Sequence, residues 1–117
     1  MTNYEPGDIT LVHFPFSDIS KGKKRPTLVL YSGTENFHYR LITVAMITSQ
    51  IDGAQREGDI PLKDWEKENL LHPSLLRLSK IATIEESLVQ KKIGELSERD
   101  KKSAQKEMKK LFSFWVR

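Results

Sequence analysis

The apolar residues of this chain fall into short runs separated by polar or Gly/Pro punctuation, the spacing of consecutive strands. Pro6-Gly7-Asp8 reads as a turn. Ile9 to Phe16, rich in β-branched and aromatic residues, predicts a first strand, with Pro15 marking an edge or a strand end. Pro26 to Tyr31 predicts a second. Arg40 to Ile47 predicts a third, and its nearly unbroken apolar run implies burial on both faces or a place in a closed barrel. Asp59 to Leu62, Leu75 to Leu78, Lys80 to Ile84 and Leu88 to Ile93 are shorter strand candidates. Asp64 to Leu71 is expected to form about two helical turns with Asp64 as N-cap, ending before His72-Pro73. The last segment, Ser97 to Arg117, lacks Gly and Pro. Ala104, Met108, Leu111, Phe112 and Trp115 lie on one stripe, so the pattern predicts a helix running to Arg117, with Trp115 in the core or a dimer contact. Ser97 and Asp100 form an imperfect capping box at its start. Consecutive strands with short turns and one terminal helix describe a β-rich α+β fold, mostly antiparallel and barrel-like, in one domain spanning residues 1–117.

Composition narrows the chemistry. A chain of 117 residues buries roughly 65% of its unfolded surface and needs no staple. The absence of cysteine excludes disulfide frameworks, Cys–zinc sites and thiol nucleophiles. No stretch approaches the ~20 apolar residues of a membrane span. The N-terminus shows neither a basic n-region nor an apolar h-region, so a cytoplasmic location is expected. The net charge of +3 permits a nucleic-acid partner without pointing to one. Arg99 to Arg117 carries 7 basic and 2 acidic residues, which reads first as a solvated helix face. Lys21-Gly22-Lys23-Lys24-Arg25 is a better anion site, because its charges converge on one loop.

No HExxH, P-loop, GxGxxG or Gly-x-Ser-x-Gly motif is present. His13, His38 and His72 lack metal-ligand spacing and read as structural or surface residues. These features alone leave a small β-rich domain with a basic loop.

Longer motifs carry a resemblance. Gly7 to Phe16 (GDITLVHFPF), a polar loop and then Lys24 to Leu30 (KRPTLVL) resemble the N-terminal signature of the MazF/PemK family, toxins of type II toxin–antitoxin systems. Met46-Ile47-Thr48-Ser49-Gln50 resembles the family's second motif. Leu62 to Trp65, Leu70-Leu71, Pro73 to Arg77 and Ala82 to Ile84 resemble its third block. The resemblance implies a compact SH3-like barrel with a C-terminal helix, usually a homodimer. It also implies sequence-specific cleavage of single-stranded RNA without a metal or other cofactor. In that reaction the 2′-OH attacks the adjacent phosphate, leaving a 2′,3′-cyclic phosphate and a 5′-OH end.

Such a site must activate the 2′-OH, stabilise the phosphorane and protonate the leaving oxygen. The resemblance assigns Arg25 to the phosphorane, a role its planar fork of donors suits. It assigns catalytic roles to Thr48 and, as an assistant, Ser49. Arg77 matches a position that carries an acid or phosphate-binding Arg in several relatives. Two residues later many relatives have Asp, where this chain has Ser79, and the loop Ser17 to Lys24 lacks a Glu found in some of them; the general base is left unassigned. RNA contacts are expected from Phe16, Asp18, Ser20, Lys21, Lys23, Lys24 and Gln50, with bases read by the loop Ser17 to Lys24 and the stretch Ile51 to Glu57. A cognate antitoxin is an implied partner. Two other functions stay open on the same fold: a non-catalytic gyrase poison using Trp115, and a degenerate member that only binds antitoxin or RNA.

Overall fold

The computed structural model describes residues 3–13, 24–33, 40–53 and 55–116. Six strands are present: β1 (Asp8–His13), β2 (Lys24–Ser32), β3 (Leu41–Thr48), β4 (Asp59–Pro61), β5 (Leu75–Glu85) and β6 (Val89–Glu95). They form one antiparallel sheet in the order β4-β5-β3-β2-β1-β6. Among the described residues one α-helix, α1 (Glu98–Leu111), follows, and a short 3-10 turn (Glu86–Leu88) joins β5 to β6.

Strand β3 behaves as its apolar run requires. Ala45 and Ile47 point into one cluster with Ile9, Leu28, Leu76 and Leu78, on which Ala104 of α1 packs. Ile42, Val44 and Met46 point the other way, against Val12, Val29 and Ile84. Burial on both faces explains the missing polar alternation. The pair expected at Leu75–Leu78 and Lys80–Ile84 is one strand, β5, with a register break. Its partners on β3 jump from Arg77, opposite Met46, to Ile81, opposite Ala45. Of the intervening residues Leu78 stays in the core while Ser79 and Lys80 are exposed, a bulge of the kind that bends a strand.

The two sheet edges meet through side chains. The Asn69 amide donates to the Ile93 carbonyl of β6 (2.8 Å). Gly94 lies so close to the Glu68 backbone that an added Cβ would overlap its carbonyl. The segment after β4 therefore closes the barrel without a strand ladder.

Two expectations are corrected. Residues 63–69 form successive turns, not a helix. Their bonds have mixed spans (Glu68 N–H to Asp64 O, Asn69 N–H to Glu66 O, Leu70 N–H to Trp65 O), and Asn69 adopts a left-handed φ of 64°. The second correction concerns the terminal helix, which stops at Leu111 instead of Arg117. Ala104, Met108 and Leu111 use up the available core surface. Trp115 leaves the stripe, is 80% exposed and meets Phe114 edge-on at 4.9 Å. The core reading of Trp115 is therefore wrong.

Candidate active site

Register brings the motif residues together. Along β2 and β3, Thr27 faces Met46, Leu28 faces Ala45 and Val29 faces Val44. Extended past the end of the ladder, that register would set Arg25 opposite Thr48 after two residues and Lys24 opposite Ser49 after three. Lys24, Arg25, Thr48, Ser49 and Gln50 all line one cavity of about 280 Å³ at this end of the barrel. Arg25 is held within β2 by its pairing with Val12 of β1, and Pro26 fixes the backbone just after it. Among the described residues, Arg25 has no carboxylate partner, so its charge is available to an anion.

Thr48 closes β3 with a side-chain turn in which its Oγ1 accepts the Gln50 N–H (3.1 Å). That bond occupies an acceptor site and leaves the hydroxyl proton to point at a ligand. The turn that ends the strand thus also orients the Thr48 hydroxyl. Thr48 faces Leu75 on its other side, so the position is held from two strands.

Arg77 lies elsewhere. It stands opposite Asp59 in the β4–β5 ladder, and its Nε and Nη2 bond the two carboxylate oxygens at 3.0 and 3.1 Å. The Asp59 side chain is fully buried. The guanidinium borders a second cavity of about 390 Å³, with Arg56 and Asp52, adjoining the first through Gln50. The structure therefore groups Arg25, Thr48 and Ser49 but sets Arg77 one cavity away. Phe16, Asp18, Ser20, Lys21 and Lys23 lie outside the described residues.

The far wall of the first cavity is the turn segment, through Asn69, Leu70, Leu71 and His72. Asn69 carries no motif of its own, and His72 reads from the sequence as a structural or surface residue. The signal in the sequence was proximity to the Pro73-Ser74 pair of the third motif. The segment is fixed from below by α1. Ser97 caps the helix by accepting the Asp100 N–H (3.1 Å), and its hydroxyl donates to Asp64 (2.6 Å). The buried Asp100 carboxylate accepts the N–H groups of Lys63 and Asp64, both at 3.0 Å. The Arg99 guanidinium and the Ser97 hydroxyl hold Asp64 below the usual carboxylate range. Glu68 is fully buried, with one oxygen on the Ser97 N–H (2.9 Å) and the other without a hydrogen-bond partner. Burial pushes its carboxyl up to about 7, and the neighbouring Asp100 carboxylate adds to the rise.

Comparison with known proteins bears on the family and the fold. The family described as PemK-like, MazF-like toxins of type II toxin–antitoxin systems matches residues 5–112. Among solved structures, the Mycobacterium tuberculosis toxin MazF-mt6 superimposes with a TM-score of 0.67 at 22% identity, covering 91% of this chain and 96% of that one. That likeness bears on the fold. No curated protein matches the sequence.

Proposed function

This chain belongs to the PemK-like, MazF-like toxins of type II toxin–antitoxin systems, and we propose that it is an endoribonuclease cutting single-stranded RNA at a short sequence without a metal. The observation that supports this is the meeting of Arg25 and Thr48 in one cavity, brought about by the β2–β3 register. The RNA 2′-oxygen attacks the adjacent phosphorus, the bond to the 5′-oxygen breaks, and a 2′,3′-cyclic phosphate and a 5′-OH end result. Arg25 stabilises the charge that builds on the phosphorane oxygens. The Thr48 hydroxyl donates to the same phosphate, with Ser49 beside it. Arg77, pre-oriented by Asp59, takes a flanking phosphate in the adjoining cavity, and Gln50 reaches the nucleotide between them. The β1–β2 loop from Phe16 through Lys24 contacts the flanking nucleotides. The active form is a homodimer in the cytoplasm, restrained by an antitoxin whose acidic segment competes for the same basic cavity.

The test is incubation of the purified protein with a long RNA in EDTA. Cleavage at a recurring short motif is expected, and Arg25→Ala should abolish it. Undiminished cleavage by Arg25→Ala would sink the mechanism.

One observation favours a second reading. The exposed Phe114–Trp115 pair is the kind of aromatic anchor a gyrase poison would dock. Removing Trp115 to Arg117 separates the readings: the ribonuclease keeps its cleavage, whereas a poison loses toxicity while folded.

A further inference from the structure

The polar groups around the Arg25 cavity are unbalanced. Lys24, Arg25, Thr48, Ser49, Gln50 and Asn69 supply N–H and O–H donors. Among the described lining residues there is no Asp or Glu, and His72 is the single side chain able to take up a proton near neutrality. The backbone at His72, an exposed residue, is held in place. The Ser74 hydroxyl bonds the His72 carbonyl oxygen (2.7 Å), Pro73 restricts the His72 backbone before it, and the Leu62 N–H bonds the Ser74 carbonyl (3.0 Å). The charged groups sharing the cavity with it are Lys24 and Arg25, both on β2.

Resting on the ribonuclease reading, we propose that His72 is the general base of this site. A ring nitrogen of His72 takes the proton from the 2′-OH as the 2′-oxygen forms its bond to phosphorus. The phosphorus–5′-oxygen bond breaks, and the departing oxygen takes a proton from water. In-line attack places the two oxygens on opposite sides of phosphorus, so one imidazole serves the nucleophile only. The hydroxide produced then removes the proton from His72.

The test compares pH–rate profiles of the full-length wild type, His72→Gln, His72→Ala and Asp18→Asn on one short RNA, with thermal melts confirming that each is folded. Loss of His72 should lower kcat/KM by about 10²–10⁴-fold. It should also remove the acidic limb of the wild-type profile, leaving a rate that rises steadily with pH. Added imidazole should restore part of the activity of His72→Ala, which a merely structural role would not allow. A His72→Gln profile that superimposes on the wild type overturns the inference, as does loss of the acidic limb in Asp18→Asn alone. A wild type that cuts no RNA at any pH instead removes the ribonuclease reading on which the inference stands.

Discussion

Glu68→Gln replaces a buried carboxyl by an amide of the same shape. The Glu68 carboxyl has no exposure, one unpartnered oxygen and the Asp100 carboxylate beside it. Its proton is held to about pH 7 in the folded protein, against 4.5 as the ordinary value. The folded state thus binds the proton more tightly than the unfolded chain. Stability from this group is therefore intact below about pH 4.5, falls as pH rises, and is fully lost above about pH 7. At 1.36 kcal/mol for each pH unit between the two values, the full cost is about 3 kcal/mol. The amide carries no charge at any pH and escapes that cost. Urea denaturation of wild type and Glu68→Gln at pH 5 and pH 8 reads the effect directly. The advantage of the variant should be larger at pH 8 by about 2 kcal/mol. Taking the difference between two proteins cancels the titrating groups that do not interact with Glu68. The same difference at both pH values, or a larger one at pH 5, would refute the reasoning. The result matters to the site because the turn carrying Glu68 also carries Asn69 to His72 into the cavity wall.

Other perturbations test separate parts of the structure. Asp59→Ala leaves Arg77 half-buried without its partner and should cost about 3–5 kcal/mol in chemical denaturation. Gly94→Ala should prevent closure of the barrel, because the new Cβ overlaps the Glu68 carbonyl; the readout is loss of the cooperative thermal transition. Ser97→Ala removes the α1 cap and should cost about 1 kcal/mol in urea melts, with its bond to Asp64 adding to the loss. Thr48→Val keeps the shape of the side chain, loses the acceptor for the Gln50 N–H, and should slow RNA cleavage well beyond any change in melting temperature.

What the sequence showed and what it hid divide along physical lines. Strand β3 was legible because burial on both faces leaves an apolar run that no turn or surface helix would carry. Arg25 and Thr48 were legible through motifs, and the end of the β2–β3 ladder brings the two motifs to one cavity. The turn at 63–69 was misread as helix because Asp64, Glu66, Lys67 and Glu68 have ordinary helical composition. What prevents a helix there is tertiary: Asp64 and Glu68 are drawn to the start of α1, and Asn69 turns left-handed to reach β6. The end of α1 was hidden for a related reason. Phe112 and Trp115 keep the helical spacing, but the core they would pack on ends at Leu111. Arg77 was placed with the catalytic group by its motif alone, and a strand pairing invisible to local pattern gives it to Asp59.

The central claim is that the Arg25–Thr48 cavity directs the 2′-oxygen of RNA onto its own phosphate. Mass spectrometry of the fragments made by the purified protein from one short RNA tests this most directly. The account predicts 2′,3′-cyclic phosphate and 5′-hydroxyl ends, absent with Arg25→Ala and absent when the nucleotide at the cut carries 2′-deoxyribose. Fragments ending in 3′-hydroxyl and 5′-phosphate, or cleavage of the 2′-deoxy substrate, would contradict it.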